Sequence, residues 1–293
     1  KRHGHTMHFW ADVILQHPEL LPEIPRDVVA LIWDYEADAP FHRDCGKLAK
    51  AGIPFYVCPG TSSWNNLVGR TDNCLANLRL AALCGLKHGA IGYLNTDWGD
   101  NGHLQYLPIS YLGFAAGAAL SWCREANRSE TFIEALNTHV FRDQAGLMGG
   151  LAFNLGNTYL HDGWITHNGS PEFLLLYGAA DHDVFQMVPE PNLRRVENHI
   201  HRELKSLRAA RMDRPDADLI KAEFANNARM ALFGCQRGGA IISGKNKEAK
   251  TRRALAAQMR AIIKEHRRLW LARNREGGLR ESMSVLERNC SGG

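Results

Sequence analysis

The sequence predicts an α/β fold: the later half of a (β/α)8 TIM barrel, about four βα units, followed by a mostly α-helical C-terminal region. Two observations predict it. Residues 1–123 alternate short apolar runs with helical patterns, joined by short connections. The candidate strands follow one another at about 22 to 37 residues, which brackets the roughly 31 per unit of a (β/α)8 barrel. Because four open units would expose two sheet edges, we expect the earlier half of the barrel to lie outside this chain.

Each element of the predicted half-barrel follows from its own pattern. The β-branched run DVVALIW is typical of a strand buried on both faces of a parallel sheet. The predicted strands are residues 5–10, 27–33, 53–59 and 90–95. The predicted helices are residues 12–21, 41–52 with Gly52 as C-cap, 71–89, and 110–122. The helix 71–89 begins at Thr71 or Asp72 and ends at Gly85 or Gly89, and we expect the very apolar helix 110–122 to be buried.

The rest of the chain has the 3.6-residue periodicity of helices. The periodic segments are residues 129–142, 143–160, 191–212, 215–235 and 246–275. We therefore predict two domains, a partial barrel over 1–123 and a helical region over 124–293. The helical region could pack against the barrel or form a dimer interface, so a homodimer is one open possibility.

Composition narrows the classes of function. Of the 293 residues, 45% are hydrophobic and 23% charged, as in a globular protein, and the net charge of +4 is modest. We expect no nucleic-acid partner and no membrane partner, because the basic excess is small and no apolar stretch approaches the roughly 20 residues of a membrane span. The seven cysteines include no C-x-x-C pair, which favours free thiols in a reducing compartment and no zinc site. The chain starts without Met and without a signal peptide, so a cytoplasmic location is only the default expectation.

Every predicted strand is followed by aromatic and polar residues. In a barrel these strand ends meet at the face that carries the active site. A sugar ring stacks on aromatic faces and offers hydroxyls to carboxylates and amides, so this composition predicts a carbohydrate substrate. The candidate substrate-binding residues are Trp33, Trp64, Asp97, Trp98, Asp100 and Asn101.

These motifs resemble glycoside hydrolase family 20, the β-N-acetylhexosaminidases. FWADVIL (9–15), LIWDYE (31–36) and DWGD (97–100) are similar to that family's fifth, sixth and eighth strand motifs. The resemblance implies that Trp33 and Trp98 wall the sugar pocket and that Asp100 accepts hydrogen bonds from sugar hydroxyls. Two departures are that Asp100 stands where the family usually has Glu, and that the seventh-strand Tyr has only Tyr56 and Trp64 as nearby candidates.

The resemblance also implies a substrate-assisted retaining mechanism that uses an Asp-Glu pair. That pair follows the family's fourth strand, which would lie upstream of Lys1, and no Asp-Glu dipeptide occurs in this chain. The catalytic residues are therefore unknown, and we expect this chain alone to lack the catalytic acid. No cofactor is implied.

The sequence gives less support to a metal site or a nucleophilic cysteine than to carbohydrate binding. Asp97–Asp100 does not have the spacing of a calcium loop, and His3, His5 and His8 lack the further ligand of a metal site, so we expect no metal. Cys58 sits at a strand end but lacks a nucleophile motif. Three hypotheses remain: an N-acetylhexosamine hydrolase, a non-catalytic carbohydrate-binding protein, and another barrel enzyme acting on a small polar metabolite. Both N-acetylglucosamine and N-acetylgalactosamine fit the first hypothesis.

Overall fold

A computed structural model of the chain describes residues 4–127 and 132–290. It confirms the predicted parallel sheet, whose strands are β1 (Met7–Trp10), β2 (Val28–Trp33), β3 (Phe55–Cys58) and β4 (Gly92–Tyr93). They lie in the order β1-β2-β3-β4, with every pair parallel. In register, Trp10 is opposite Leu31 and Trp33 is opposite Cys58. The fold is thus mixed α/β, and the later half of a (β/α)8 barrel stays a prediction.

A helix follows each strand of the sheet. These helices are α1 (Asp12–Gln16), α2 (Phe41–Ala51), α3 (Thr71–His88) and α4 (Leu107–Trp122). Short 3-10 turns at Pro18–Glu23 and Asp100–Gly102 complete the connections. Gly52 is the predicted C-cap of α2: it has φ 65° and its amide donates to the carbonyls of Ala49 and Leu48. Of the two candidate ends for α3, the structure selects Gly89, with φ 75°, and Gly85 lies within the helix.

The apolar faces of α2 and the sheet form one core. It contains Ala30 and Ile32 of β2, Phe55 and Val57 of β3, and Phe41 and Leu48 of α2. Strand β2 is buried over Val28–Ile32 and becomes exposed only at Trp33. The β-branched run therefore ends with its last side chain at the surface, at the carboxyl end of the strand.

Helix α4 differs from the expectation that it is buried throughout. Its Trp122 is 91% exposed, and Phe114 is also exposed, whereas Leu112, Ala116 and Leu120 are buried. The apolar surface of this helix is wider than the face it packs, so composition alone overestimated its burial.

The C-terminal region is helical, as predicted. Its helices are α5 (Phe132–Ala135), α6 (Met148–Leu155), α7 (Pro171–Tyr177), α8 (Val184–Met187), α9 (Glu190–Ala209), α10 (Ala217–Ile242), α11 (Ala249–Arg273) and α12 (Leu279–Glu287). A π-helical turn, Leu136–Phe141, continues α5, and 3-10 turns lie at Thr158–His161 and Lys245–Lys247. The start of the predicted helix 129–142 lies outside the described residues. Helix α10 packs against α7, α9 and α11.

Contacts divide the chain into two compact units. Among the described residues, unit 1 comprises 4–61, 72–97 and 113–127, and unit 2 comprises 62–71, 98–112 and 132–290. The predicted domain division between residues 123 and 124 stays a prediction. Within the part of the chain that the structure describes, no helix is both long enough and apolar enough to cross a bilayer.

Candidate functional site

Trp33 ends β2 with its indole ring held from two sides. Its Nε1 donates to Oδ1 of Asp12 at 3.2 Å, and its ring stacks on that of Tyr35 with centroids 5.3 Å apart. Asp12 begins α1, directly after β1, so this bond joins the ends of two neighbouring parallel strands. Trp33 remains 39% exposed. The ring is therefore oriented by protein contacts while part of its surface stays open.

Two asparagines of α3 position the loops that follow β2 and β3. Asn77 donates to the carbonyls of Asp34 and Glu36, at 3.0 and 2.8 Å, and accepts from the amide of Gly60 at 3.1 Å. Asn73 donates to the carbonyl of Tyr35 at 2.7 Å. Both side chains are buried, where unmet backbone groups would be costly. These bonds fix the backbone that carries the strand-end side chains.

Asp97 joins the loops that follow β3 and β4. Its Oδ1 accepts a 2.5 Å hydrogen bond from Oγ1 of Thr61. The backbones also pair here, because the amide of Thr61 donates to the carbonyl of Thr96 at 3.0 Å and the amide of Thr96 donates to Pro59 at 2.9 Å. The sheet thus continues past β4 as an isolated bridge, and Asp97 lies at its end. This carboxylate holds the loop together and is half-buried rather than free to rotate.

Trp98, Asp100 and Asn101 belong to unit 2 and follow Asp97 in a tight loop. Trp98 is 36% exposed, and its carbonyl accepts from Nε2 of the buried Gln105 at 2.6 Å. Asp100 is exposed and begins the 3-10 turn. Nδ2 of Asn101 donates to Oδ1 of Asn65 at 3.1 Å, which connects this loop to residues 62–67.

Trp64 lies differently from its expected place as a sugar platform. It is only 1% exposed, and its Nε1 donates to Oδ1 of Asn168 at 3.0 Å. With both ring faces covered and the indole N–H paired, Trp64 is a core side chain of unit 2. Its ring offers no surface on which a ligand could stack.

Two loops of unit 2, residues 62–67 and 98–103, contain several non-glycine residues with left-handed backbone conformation. Ser62, Asn65 and Leu67 have φ between 53° and 57°, and Asn101 and His103 both have φ of 51°. Such backbone costs on the order of 1–3 kcal/mol for a non-glycine residue, less for Asn, and persists only where surrounding contacts demand it. Local strain of this kind concentrates at binding sites, so both loops are candidates for function.

A buried polar cluster underlies the loop after Trp98. Nδ1 of His266 lies 2.8 Å from the hydroxyl of Tyr106, and its Nε2 lies 2.8 Å from Oγ of Ser282. Nδ2 of Asn226 donates to the same tyrosine hydroxyl at 2.9 Å. Burial lowers the pKa of His266 to about 4, so the ring is neutral at neutral pH. The cluster supports the loop backbone.

The chemistry of these groups is that of binding. Asp12 and Asp97 already accept hydrogen bonds, and Asp100 and Asn101 offer an exposed acceptor and an amide. The described residues contain no group of three or more His, Cys, Asp or Glu side chains that could hold a metal ion. His3, one of three N-terminal histidines considered as ligands, lies outside the described residues. Burial raises the pKa of Cys58 to about 12, which disfavours the thiolate that a nucleophile requires.

Comparison with known proteins leaves the family open. No protein-family model matches the chain, and no curated protein matches it. Among solved structures, the chain is similar to a GH138 enzyme targeting pectin rhamnogalacturonan II, with 11% sequence identity and a TM-score of 0.45 over 92% of this chain. The match spans 40% of that enzyme. A similarity at this level assigns neither a family nor a reaction, and it gives no specific support to family 20.

Sequence reasoning missed the residues that orient the candidate side chains. Asp12 and Tyr35 lie within the motifs FWADVIL and LIWDYE, which predict no separate role for them, yet they hold Trp33. Asn73 and Asn77 were read as part of an amphipathic helix. Their position one helical turn apart on the buried side of α3 is a signal that could have identified them, because buried amides require partners.

Proposed function

We propose that the strand-end residues bind a carbohydrate, and that the chain is part of a glycoside hydrolase acting on terminal N-acetylhexosamine by the substrate-assisted retaining mechanism. The observation that carries the proposal is the Trp33 ring, oriented by Asp12 and Tyr35 and still partly open. An oriented, half-exposed indole at a strand end suits the weakly polar face of a pyranose. The identity of the sugar and the mechanism in this proposal come from the motif resemblance to family 20.

In this proposal the exposed loop after β4 makes the polar contacts. Trp98 is an aromatic platform, Asp100 accepts hydrogen bonds from sugar hydroxyls, and Asn101 donates or accepts at a fixed angle because Asn65 holds its amide. Asp97 positions the loop through Thr61. Trp64 has no part in binding because it is buried.

The architecture in this proposal is the later half of a (β/α)8 barrel. Support comes from four parallel strands in sequential order, each followed by a helix. Barrels carry substrates at the carboxyl ends of their strands, which is where the candidate residues lie. Since the chain has no Asp-Glu dipeptide, the proposed general acid is not among its residues.

Calorimetric titration with N-acetylglucosamine and N-acetylgalactosamine tests the binding proposal. We expect saturable binding of at least one sugar, and a loss of about tenfold or more in Trp33→Ala and Trp98→Ala. Asp100→Asn should weaken binding by roughly 1–3 kcal/mol, the value of a hydrogen bond to a charged group. Trp122→Ala is the matched control, because Trp122 is the most exposed indole named here and lies outside both loops. Absence of binding to both sugars, or equal losses in all three Trp variants, would contradict the proposal.

A non-catalytic carbohydrate-binding protein is the second candidate. It is favoured by the strand-end carboxylates, since Asp12 and Asp97 serve as hydrogen-bond acceptors for Trp33 and Thr61. Release of nitrophenol from chromogenic N-acetylglucosaminide and N-acetylgalactosaminide separates the two. Sugar binding by a longer chain that contains the Asp-Glu pair, without any hydrolysis, would favour this second candidate.

A further inference from the structure

A cavity lies among the C-terminal helices, within unit 2. Its volume is about 310 Å³, and it is bounded by α10, the start of α11, the residues after α12 and the loop after α7. Its polar lining consists of three arginines and two asparagines, Arg237, Arg252, Arg288, Asn246 and Asn289. Its apolar lining includes Phe233, Ile241 and Leu255, and no carboxylate lines it. The cavity is thus cationic on one side and apolar on the other.

Arg237 is fixed in this cavity as an uncompensated cation. Its Nη1 and Nη2 donate to the carbonyls of Leu175 and Gly178, at 2.5 and 2.8 Å, and its guanidinium lies 5.2 Å from the centre of the Phe185 ring. The two carbonyls and the ring face favour the charged guanidinium, while burial acts against it and lowers the pKa of Arg237. No carboxylate lines the cavity to neutralise this charge, so a bound anion would stabilise it further.

The other two arginines are exposed and are also without carboxylate partners. Arg252 donates to the carbonyl of Lys247, and Arg288 lies 5.7 Å from the centre of the Tyr177 ring. Within residues 4–127 and 132–290, none of the three arginines forms an ion pair with Asp or Glu. Guanidinium groups elsewhere in this chain do pair, as Arg273 does with Glu223 and Asp216. The cavity therefore contains guanidinium charge that no carboxylate of the described residues neutralises.

The segment that forms one wall adds to the positive field. Between residues 245 and 253 there are five cationic residues, Lys245, Lys247, Lys250, Arg252 and Arg253, against the single acid Glu248. Clustered charge of one sign raises the local concentration of ions of the opposite sign and speeds their association. This field selects anions before any contact is made.

We propose that this cavity binds a small organic anion, a phosphate or carboxylate group attached to a compact apolar body. The guanidinium forks of Arg252 and Arg288 match the oxygen geometry of both anions, and the amides of Asn246 and Asn289 offer further donors. Ile241 and Leu255, both half-buried, form the surface for the apolar body, and the buried Phe233 packs behind them. The site is independent of the strand-end residues and of the proposed glycosidase activity.

Isothermal titration of the full chain tests this site with four probes: phenyl phosphate, benzoate, inorganic phosphate and neutral benzyl alcohol. We expect one saturable site for phenyl phosphate or benzoate, weaker binding of inorganic phosphate, which lacks the apolar body, and no binding of benzyl alcohol. The affinity should fall as salt concentration rises, because the attraction is electrostatic.

Variants locate the binding. Arg252→Gln and Arg288→Gln should each weaken the anion by about tenfold or more, the loss expected for one charge-assisted hydrogen bond. Both side chains are exposed, so the fold should tolerate the changes. Arg253→Gln is the control, since it removes the same charge one residue away from the cavity lining and should change affinity by less than about twofold. No saturable binding of phenyl phosphate or benzoate, equal binding of benzyl alcohol, or equal losses in Arg252→Gln and Arg253→Gln would each overturn the proposal.

Discussion

At the scale of single residues, His266 shows how burial sets the charge of a side chain. Its ring is fully buried, and its two nitrogens face the hydroxyls of Tyr106 and Ser282. A neutral imidazole donates through one nitrogen and accepts through the other, so two hydroxyls satisfy it without a charge. Burial, assisted by His103, lowers its pKa from 6.5 to about 4. His266 therefore links the stability of unit 2 to pH.

The first prediction follows from that shift. Because the folded pKa is lower than the unfolded one, the contribution of His266 to stability is complete above pH 6.5 and is lost as pH falls towards 4. The loss approaches roughly 3 kcal/mol, from about 1.4 kcal/mol per pKa unit. We expect His266→Gln to be less stable than wild type at pH 7.5, with a difference that shrinks towards pH 4. Urea unfolding at several pH values measures it.

The exposed His139→Gln is the control for this experiment. It should leave the acid-side dependence of the unfolding free energy unchanged, since no buried neutral ring is removed. A difference between wild type and His266→Gln that stays constant from pH 7.5 to pH 4 would contradict the role of His266.

Single residues also show where sequence reasoning succeeds. Trp33 could be predicted at the surface because a β-branched run ends directly before it. Trp64 also follows a strand but is buried, in a loop where Ser62, Asn65 and Leu67 adopt left-handed backbone. Its partner Asn168 is 104 residues away in sequence. A local sequence pattern predicts neither the left-handed backbone nor a contact with a residue so distant in the chain.

At the scale of elements, glycines decide how closely α4 approaches the loops after the strands. A Cβ at Gly113 would lie 2.8 Å from both Cα and Cβ of Thr61, closer than real carbon atoms pack. The carbonyl of Gly113 also accepts from Nδ2 of Asn95 at 2.9 Å. Thr61 is the residue that bonds Asp97, so the packing of this helix determines the geometry of a candidate site residue.

We therefore expect Gly113→Ala to destabilise the protein by about 1–3 kcal/mol, the usual cost of overpacking. The backbone of Thr61 must shift, so sugar binding should weaken as well. Gly150→Ala is the matched control, because Gly150 lies within α6 and a Cβ there meets nothing within 4 Å. That change should stabilise the protein by up to about 1 kcal/mol through the unfolded state. Thermal unfolding measures the stability of both variants. If Gly113→Ala were neutral or stabilising, as expected for Gly150→Ala, the packing argument would be contradicted.

Strands and helices with strong apolar periodicity could be predicted from the sequence, whereas three short helices could not. The four strands and the long helices α9, α10 and α11 follow from apolar periodicity. Helices α7, α8 and α12 were missed because they are short and gain their stability from packing against other helices rather than from their own sequence. For α7 one signal was available: Ser170 caps it and Pro171 occupies its first turn.

At the scale of the whole molecule, a buried pair of carboxyl groups changes stability with pH in the opposite direction to His266. Asp162 and Glu172 are both fully buried, and their carboxyl groups lie close enough to share a proton. Burial raises the pKa of both carboxyls, and the neighbouring Glu172 raises that of Asp162 further, to about 10, whereas Ser170 and Asp162 oppose the rise at Glu172. Asp162 therefore retains its proton at neutral pH. Facing groups offer no cation: Ser170 adjoins the pair, Cys235 of α10 is a buried thiol, and Glu197 of α9 has a pKa raised by burial.

Sequence reasoning could not identify this pair. Asp162 ends a 3-10 turn and Glu172 lies in the first turn of α7, both ordinary places for an exposed acid. Their burial arises because Gly234 and Gly238 let α10 approach α7 closely, with the Gly234 Cβ position 2.6 Å from the carbonyl of Glu172. The environment of the pair thus depends on three elements far apart in the chain.

The last prediction concerns the pH profile of stability. For raised pKa values, the stabilisation is complete below the unfolded values near 4 and is lost as pH rises through the folded values, by up to about 1.4 kcal/mol per pH unit for each retained proton. Asparagine imitates the protonated form of Asp162 and cannot ionise. Asp162→Asn should therefore be close to wild type in stability at pH 4 and more stable at pH 9 by at least about 2 kcal/mol.

Urea unfolding from pH 4 to pH 9 measures this profile, with the exposed Asp181→Asn as control for the change in net charge. Between about pH 4 and 6.5 the two groups have opposite effects on stability, and above pH 6.5 only the carboxyl pair lowers it. His266→Gln should therefore change the profile only below about pH 6.5, whereas Asp162→Asn should remove the decline that continues above it. If Asp162→Asn and Asp181→Asn changed the alkaline side equally, the effect would come from surface charge and not from the buried pair.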